Sequence, residues 1–406
     1  MASHLVERPV YQELLKRAAS APVIKVVIGM RRTGKSTLLK LFMNDLVDSG
    51  TDLGAIYYRK FDEELDEDRP DYRGLIEDVK SKIDVRSGSF VLLDEMQDID
   101  GWERAVESFF DAGADVYITG SNATILSSQL ATKLSGRFIE IGVYPLTFRE
   151  FVDFRRSRGD DSDVSALMRR FQRSGSLPAV ALMDEDDTDL VEMMLSGIFS
   201  TVFVKDVVQR NEIRNSSKIS NLNRFMMRSI GDRVSVRSAA RYLTSTSSNT
   251  APETIDSFIS MLEAAMLFYR SRRMDSKTKD YLRTSDKFYC TDIGIRNAIV
   301  PFRPDDVDGI MENMVFMELK KLYGDVCTFD VGGKEVDFAV WTSRHKAYYQ
   351  VCSDISSPDT LKRELAPLKS IADNYPKYII CGGDIPCGNI DGIEIVGYDE
   401  WLREPF

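Results

Sequence analysis

The sequence predicts an α/β protein built from several domains, and three observations support that fold class. The segment Val23–Phe42 has the pattern of an apolar strand, a glycine-containing loop and the start of a helix. A second apolar strand, Phe90–Leu93, ends in the acids Asp94 and Glu95. Between residues 306 and 406, short apolar strands and amphipathic helices follow one another. A chain of 406 residues is long enough for about two to four domains.

The composition is that of an ordinary globular protein. Hydrophobic residues make up 43% and charged residues 29% of the chain, both usual for soluble domains. No apolar run approaches the roughly 18 residues that cross a membrane. The first residues, MASHLVERPVYQELL, lack the apolar core of a signal peptide, and the five cysteines form no CxxC pair. We therefore expect a cytoplasmic protein with free thiols.

The charge is distributed unevenly along the chain. The net charge is −11, but residues 205–287 contain 16 Lys and Arg against 9 Asp and Glu, a balance of +7 that leaves −18 for the rest. A basic middle in an acidic protein suggests a polyanionic partner for that segment. The alternative is a solvated helical face whose basic residues pair with acidic neighbours.

The loop after the first strand predicts a phosphate-binding site. Residues 29–36, GMRRTGKS, fit the pattern G-x-x-x-x-G-K-[ST] in the strand–loop–helix context that it requires. The glycines let backbone N–H groups approach phosphate oxygens, and the helix N-terminus adds its positive dipole end. Lys35 should reach the β- and γ-phosphates and Ser36 should bind Mg²⁺, so ATP and Mg²⁺ are the expected cofactors. The candidate ATP-binding residues are Gly29, Arg31, Arg32, Thr33, Gly34, Lys35, Ser36 and Thr37.

The acids that end the second strand predict the catalytic side of the same site. Asp94 is the candidate metal-side ligand, directly or through water, and Glu95 is the candidate for polarising the attacking water. Four apolar residues followed by two acids would be a weak signal alone. The phosphate loop about 60 residues earlier makes the pair specific.

Five sequence motifs resemble a widespread prokaryotic family that joins an AAA+-like ATPase to a C-terminal domain of unknown function. The motifs are GMRRTGKSTLL, LLDEMQDIDGWE, ITGSNATIL, LSGRFIEIGVYPLTFREF and SGSLPAV. The resemblance extends along nearly the whole chain and implies ATP binding by a modular ATPase. It implies an AAA+-like P-loop core at residues 1–151 and a helical lid over the nucleotide at residues 152–204.

Two further positions are candidates by comparison with AAA+ ATPases. The strand that begins at Val116 ends in Ser121 and Asn122, where such ATPases carry a polar residue that contacts the γ-phosphate or the water. Arg137 precedes another apolar strand, where an oligomeric ATPase would place an arginine finger directed at a neighbour's nucleotide. The alternatives are a polar turn for the first pair and a surface arginine or an internal ion pair for Arg137.

Residues 205–305 predict a winged-helix domain. Two short helices, Val236–Leu243 and Ala251–Leu267, are joined by a polar turn and followed by a charged segment, Arg270–Lys287, expected to form a two-stranded ribbon. On DNA such a ribbon would contact phosphates, which gives affinity rather than sequence recognition. A role in protein interaction or as a nucleotide lid is the alternative. The candidate DNA-binding residues are Arg270, Arg272, Arg273, Lys277, Lys279 and Arg283.

Residues 306–406 predict a restriction-endonuclease-like domain whose nuclease site is degenerate. The order helix, three strands, helix, strand is that of this fold, which includes archaeal Holliday-junction resolvases. Glu312 and Asp337 match two metal-binding acids, but Gln350 and Cys352 stand where the third acid and the lysine belong. We expect a binding or structural module without hydrolysis. The alternatives are purely structural acids, or relocated catalytic groups at Lys334, Lys346 or Asp354.

Together these features predict a cytoplasmic, Mg²⁺-dependent AAA+-like ATPase that acts as a homo-oligomer. It would hold double-stranded DNA, including branched or junction DNA, through its winged helix and its inactive nuclease-like domain. One alternative is a nucleotide-switched protein-interaction or signalling ATPase without a DNA role. Another is an active ATP-dependent nuclease.

Overall fold

The structure is a computed structural model, and its chain divides into two compact units. One consists of residues 1–145 and 264–266, and the other of residues 146–263 and 267–406. The residues that the structure describes are 6–19, 21–61, 70–121, 136–183, 187–246, 250–282, 285–383 and 387–403. Among these residues, no helix is both long enough and apolar enough to span a bilayer.

The first unit is a parallel sheet with helices along the chain between its strands. Its strands are β1 (Ile24–Ile28), β2 (Ile56–Lys60), β3 (Phe90–Asp94), β4 (Asp115–Gly120) and β5 (Phe138–Gly142). Its helices are α1 (Pro9–Ala18), α2 (Lys35–Asp48), α3 (Tyr72–Lys82) and α4 (Trp102–Asp111).

The strand order β2-β3-β4-β1-β5 places β1 at an interior position, between β4 and β5. All four pairings are parallel, so the carboxyl ends of the strands lie along one edge. Every residue of β1 is buried, which suits a strand covered on both faces. Even its lysine, Lys25, is buried and pairs with Asp115 at the start of β4. The chain leaves this buried strand directly into the phosphate-loop motif.

The second unit begins with helices and continues into two sheets. Its first helices are α5 (Phe148–Ser157), α6 (Val164–Ser174), α7 (Pro178–Ala181) and α8 (Thr188–Thr201), followed by a π-helical segment at Val202–Gln209. The next elements are α9 (Ser217–Arg228), β6 (Arg233–Val234), α10 (Val236–Thr246), α11 (Pro252–Ala264), β7 (Phe268–Ser271), β8 (Arg273–Asp275) and β9 (Asp286–Cys290). Strands β6, β9 and β7 form a three-stranded antiparallel sheet in that order.

A seven-stranded sheet completes the second unit, in the order β14-β15-β13-β12-β11-β10-β8. Its strands beyond β8 are β10 (Val326–Val331), β11 (Lys334–Trp341), β12 (Lys346–Cys352), β13 (Lys377–Cys381), β14 (Gly388–Ile390) and β15 (Ile393–Gly397). The accompanying helices are α12 (Ile293–Ile299), α13 (Val307–Tyr323), α14 (Pro358–Lys369) and α15 (Tyr398–Arg403). Strands β10, β11 and β12 are antiparallel, whereas β12 and β13 are parallel.

The expected ribbon Arg270–Lys287 is confirmed at its two ends and differs in the segment between them. Strand β7 does pair with β9, but β8 pairs in parallel with β10 and so belongs to the larger sheet. The reason lies in contacts distant in sequence: Arg273 forms an ion pair with Asp330 of β10, and Ser276 N–H donates to the Asp330 carbonyl at 2.8 Å. These contacts hold the segment against the larger sheet.

The SGSLPAV motif forms a tight contact between α6 and α12. Asp292 is buried and accepts hydrogen bonds from the backbone N–H of Ser176 at 2.7 Å and of Ile295 at 2.9 Å, so it caps α12 while holding the turn after α6. Gly175 has a φ of +77°, which favours glycine. A Cβ on Gly294 would overlap the carbonyl oxygen of Ser174, so glycine is needed at this contact too.

Candidate functional site

The phosphate loop lies at the carboxyl end of β1 and needs both of its motif glycines. A Cβ on Gly29 would come within 2.9 Å of Thr33 Oγ1 and closer still to the carbonyl oxygen of Val143. Gly34, the residue before α2, has a φ of +99°, a conformation that glycine adopts without strain. Thr33 is buried and its Oγ1 donates to the Met30 carbonyl at 2.9 Å, so this side chain stabilises the loop itself.

Lys35 joins the loop to the acidic end of β3. Its side chain is only 3% exposed, and Nζ lies 3.1 Å from Glu95 Oε1. Nζ also donates to the backbone carbonyls of Gly29 at 2.9 Å and Met30 at 3.2 Å. Burial raises the pKa of Glu95, but the charge of Lys35 and a hydrogen bond from Gln97 outweigh it, so the pKa lies below its ordinary value. Glu95 is therefore an ionised carboxylate.

Thr119 fixes the orientation of the two acids. Its Oγ1 donates to Asp94 Oδ1 at 2.6 Å and accepts from the backbone N–H of Glu95 at 2.9 Å. Tyr58 Oη donates to the other Asp94 oxygen at 3.2 Å. Thr119 reaches both acids because β4 is the neighbour of β3. The sequence analysis missed Thr119; its place in the ITGSN motif, two residues before Ser121, was the available signal.

The donor set at this edge fits a magnesium ion. Asp94 is fully buried and presents a carboxylate held in a fixed orientation, and Ser36 supplies a hydroxyl in the first turn of α2. Carboxylate and hydroxyl oxygens are ligands that Mg²⁺ prefers, together with water and phosphate oxygens. The two predicted metal-side residues are thus chemically suited to the ion.

Ser121 follows β4 at the same edge of the sheet. It is 0% exposed, and among the described residues its Oγ has no hydrogen-bond partner. A buried hydroxyl without a partner costs about 1–3 kcal/mol, so a ligand oxygen that satisfied it would recover that free energy. Asn122, the other candidate here, lies outside the described residues.

Arg137 lies at the opposite edge of the sheet from the phosphate loop. It directly precedes β5, whose first residue, Phe138, is in register with Ile24 at the start of β1. A five-residue strand is about 17 Å long, so Arg137 is far from the loop of its own chain. Its guanidinium is 46% exposed and forms an ion pair with Asp111 at 2.9 Å. Action on a neighbouring subunit's nucleotide stays a prediction.

The structure does not bring the predicted DNA-binding cations together as one open basic surface. Arg270 forms ion pairs with Glu263 at 2.6 Å and Asp286 at 3.4 Å. Arg273 pairs with Asp330, and the Lys279 ammonium lies over the rings of Phe329 and Trp341 at 4.6 and 4.3 Å. Two others, Arg272 and Lys277, are exposed, and Arg283 lies outside the described residues.

The C-terminal acids meet around a lysine that the sequence analysis did not consider. Lys287 Nζ of β9 lies 3.0 Å from Glu312, 2.9 Å from Glu335 and 3.2 Å from Asp337. Its side chain is only 6% exposed. We call Glu312, Glu335 and Asp337 the acid cluster. Tyr289 Oη donates to Glu312 at 3.0 Å, and Arg233 Nε donates to Glu335 at 2.6 Å.

Gln350 and Cys352 have different surroundings. Gln350 Nε2 donates to Glu364 at 2.9 Å, and its Oε1 accepts from the backbone N–H of Asp337 at 3.4 Å. Asp337 also accepts from the backbone N–H of Val351 at 2.9 Å. Cys352 is buried in the apolar core of the large sheet, where burial raises the pKa of its thiol. Gln350 therefore borders the acid cluster, and Cys352 packs in the core.

The three residues considered as relocated catalytic groups have other partners. Lys334 Nζ lies 3.4 Å from Ser370 Oγ, and Lys346 Nζ lies 3.4 Å from Tyr375 Oη. Asp354 accepts from the backbone N–H of Ser356 within its own loop. The lysine that does reach the acid cluster comes instead from β9.

Burial and mutual repulsion set the protonation of the acid cluster. Burial, together with the charge of Asp337, raises the pKa of Glu312 to about 8. Burial also raises the pKa of Glu335, but Lys287 and Arg233 outweigh it and hold that pKa below its ordinary value. Burial raises the pKa of Asp337 as well, although the charge of Lys287 acts against it. Within the described residues, no group of three or more His, Cys, Asp or Glu is arranged to hold a metal ion.

The raised pKa of Glu312 predicts a pH-dependent stability. Between the ordinary glutamate pKa and about 8, the folded protein keeps a proton that the unfolded chain releases. Stability is therefore fully present at low pH and falls as pH rises through this window. Glu312→Gln removes this titration, so its free energy of unfolding should fall less with rising pH than that of the wild type. The difference between the two proteins should grow by up to a few kcal/mol between about pH 5 and pH 8. Denaturant unfolding across that range measures it.

The control for this experiment is Glu253→Gln, which changes an exposed glutamate on α11. It should reproduce the wild-type dependence of unfolding free energy on pH. Parallel curves for Glu312→Gln and the wild type would contradict the assignment of the proton to Glu312.

Two family models match the chain. Residues 21–152 match the model of an AAA domain, and residues 165–306 match that of a domain of unknown function, DUF8612. The first match covers the phosphate loop, both acids of β3 and the Ser121 strand. The second covers the middle of the chain, including β9 and Lys287.

Relatives occur in a bacterium and an archaeon. An uncharacterized protein of Haemophilus influenzae is 31% identical over 100% of both chains. An uncharacterized protein of Methanocaldococcus jannaschii is 28% identical over 86% of this chain and 79% of its own length.

A solved structure shares the fold. The Walker-type ATPase of Pyrococcus abyssi covers 72% of this chain and 95% of its own, with a TM-score of 0.53 and 13% sequence identity. Because identity is this low, the likeness concerns the fold alone. The AAA-domain match and the full-length relative at 31% identity show that the chain belongs to a prokaryotic family joining an AAA-type P-loop ATPase domain to a domain of unknown function.

Proposed function

We propose that the protein is an Mg²⁺-dependent ATPase that binds ATP at the loop Gly29–Ser36 and hydrolyses it with Glu95. One observation supports this most strongly: Lys35, Asp94, Glu95 and Thr119 are held together beside the loop by contacts of 2.6–3.1 Å. The carboxyl edge of a parallel sheet is where α/β folds bind ligands. ATP and Mg²⁺ are the cofactors that these residue types fit.

The Lys35–Glu95 ion pair supplies a means of coupling ATP binding to activation. The γ-phosphate competes for the Lys35 ammonium, because its charge exceeds that of one carboxylate. When Lys35 moves to the phosphate, Glu95 loses the charge that lowers its pKa, and the carboxylate becomes a stronger acceptor for a proton of the attacking water. Mg²⁺, held by Ser36 and Asp94, would compensate the phosphate charge. Ser121, whose buried hydroxyl has no partner among the described residues, would donate to a phosphate oxygen or the water.

The variant Thr119→Val tests this geometry. It keeps the side-chain shape but removes the Oγ1 that orients Asp94 and Glu95. We expect turnover to fall about 10²-fold, since small misplacements of catalytic groups have effects of that size. ATP affinity should stay near the wild-type value because Lys35 is unchanged. Phosphate release at saturating ATP measures turnover, and calorimetric titration measures affinity.

Two further variants serve as controls for that measurement. Thr51→Val changes a threonine beyond the far end of α2 and should leave turnover unchanged. Lys35→Ala should abolish nucleotide binding. Normal hydrolysis by Lys35→Ala would show that the loop assignment is wrong, and wild-type turnover in Thr119→Val would remove the positioning role of Thr119.

The active form that we propose is a homo-oligomer in which Arg137 acts on the neighbour's ATP. Arg137→Ala should lower turnover about 10³-fold or more, as loss of an arginine finger does, and spare ATP affinity. Mixing Arg137→Ala with Lys35→Ala should restore activity, because a Lys35→Ala subunit can donate its Arg137 to an Arg137→Ala neighbour. Arg86→Ala, another exposed arginine of the first unit, is the control. Unchanged turnover in Arg137→Ala, or a mixture that stays inactive, contradicts this role.

We extend the proposal to DNA as the partner of the second unit. Its elements α9, β6, α10, α11, β7 and β9 follow the order of a winged helix, and α13, β10, β11, β12, α14 and β13 follow the order of a nuclease-like fold. Exposed cations remain there for phosphates: Arg237 and Arg241, which share one face of α10, and Arg272 and Lys277. The preference for branched DNA rests on fold-level analogy to junction resolvases.

One observation favours a second candidate, a nucleotide-switched ATPase with a protein partner. Helix α11, the third helix of the proposed winged helix, contains no Lys or Arg, and its exposed residues include Glu253 and Asp256. Acids at the start of a helix repel phosphate. That face suits a basic protein surface better than a DNA groove.

DNA binding is tested by gel-shift titration with linear duplex, single strand and a four-way junction, with and without ATP, at near-physiological salt. We expect tightest binding to the junction, without cuts when Mg²⁺ is present. The double variant Arg272→Ala/Lys277→Ala should weaken binding. The slope of the logarithm of the binding constant against the logarithm of the salt concentration should become shallower by about one unit for each lost phosphate contact. Arg86→Ala is the control. If none of the three DNAs binds, the protein-partner candidate replaces DNA.

A further inference from the structure

We propose that the Lys287 ammonium occupies the position that a divalent cation would take in the acid cluster, and that this lysine keeps a metal ion out. The three carboxyl groups converge on a single point, and Lys287 Nζ occupies that point at 2.9–3.2 Å from each of them. A lysine at this position would explain why the proposed nuclease-like domain is inactive. This role of Lys287 is independent of ATP hydrolysis in the first unit.

The geometry is that of a cation site supplied by two elements. Glu335 and Asp337 are two residues apart on β11 and therefore project to the same face, and Glu312 reaches the same point from α13. Carboxyl groups packed this closely cannot all ionise without a counter-ion. An ammonium has three N–H donors, enough for one to each of the three carboxyl groups. Lys287 therefore satisfies the cluster as a metal ion would.

The charges around the cluster suit a monovalent cation. Gln350, a neutral amide that borders Asp337, stands where a further acid would raise the negative charge. Tyr289 donates to Glu312, and Arg233 supplies a second positive charge at Glu335. The neutral Gln350 and the cationic Lys287 are thus both consistent with an acid cluster that holds no metal ion. An ammonium cannot activate water for hydrolysis as a metal ion does, which accounts for an inactive site.

The two cations come from neighbouring strands of the small sheet. Arg233 of β6 and Lys287 of β9 are directly paired in register, a like-charge arrangement that is unfavourable by itself. Their shared contact with Glu335 of the large sheet offsets the repulsion. The ion pairs of Glu335 with Arg233 and Lys287 therefore also link the small sheet to the large sheet of the second unit.

The test is Mn²⁺ binding by the variant Lys287→Met, in the full-length chain without nucleotide. Methionine is of similar length but uncharged, so the cluster loses its internal cation. We expect one more Mn²⁺ bound per chain than in the wild type, counted from the signal of free Mn²⁺ by electron paramagnetic resonance. Mn²⁺ should raise the melting temperature of Lys287→Met by more than that of the wild type. The extra site should be absent from Lys287→Met/Asp337→Asn.

Lys346→Met is the matched control, since Lys346 lies on β12 of the same sheet and its ammonium stacks over Trp341. It should bind Mn²⁺ as the wild type does. If Lys287→Met folds poorly, Mn²⁺ present during refolding should restore it, because the ion replaces the missing charge. A Lys287→Met chain that Mn²⁺ neither binds nor restores overturns the proposal. Such a result would leave the ATPase and DNA experiments unaffected, because this test uses neither ligand.

Discussion

The proposed activity depends on one buried ion pair, between Lys35 of the phosphate loop and Glu95 at the end of β3. The pair joins the residue that should bind phosphate to the residue that should activate water. Breaking a buried ion pair by removing one partner is strongly destabilising, so the loop and the acidic strand hold each other in place. A phosphate group can replace Glu95 as the partner of Lys35, so the lysine keeps a counter-charge while Glu95 loses one. The same contact that orders the site can therefore respond to the nucleotide.

Two of the buried lysines, Lys35 and Lys287, differ in how easily they can change partners. Lys35 has one carboxylate and two backbone carbonyls, and backbone carbonyls hold an ammonium less strongly than charges do. Lys287 has three carboxyl groups at 2.9–3.2 Å, and removing it would leave these acids facing one another without a counter-ion. The first arrangement suits a site that cycles between ligands. The second suits a permanent structural link, which is how we interpret the acid cluster.

Features formed by residues close together in the sequence could be predicted, whereas features formed by residues far apart in the sequence could not. The phosphate loop is an eight-residue pattern that itself marks Gly29 and Gly34. Glycine is needed at both positions for local reasons, because a Cβ on Gly29 would overlap its neighbours and Gly34 has a positive φ. Thr119 was missed because its contact with Asp94 spans 25 residues and depends on β4 lying beside β3. The sequence alone does not reveal that β4 is the neighbour of β3; the strand order of the folded sheet does.

The second unit shows the same limit more strongly. Glu312 and Asp337 were recognised as a pair, and Glu335 could have been added from its two-residue spacing on β11. Lys287 could not, because it reaches Asp337 across 50 residues and from a strand of another sheet. The departure of β8 from the ribbon at residues 270–287 has a related reason. A local charge pattern says nothing about Asp330, 57 residues beyond Arg273, which draws β8 into the larger sheet.

The most direct test of the central claim is a paired measurement on the unmodified protein: calorimetric titration with ATP, and phosphate release with and without Mg²⁺. The account predicts one ATP bound per chain and hydrolysis that requires Mg²⁺. Absence of ATP binding, or binding with no phosphate release at any protein concentration, would contradict it. Phosphate release that rises faster than protein concentration would in addition support catalysis shared between subunits.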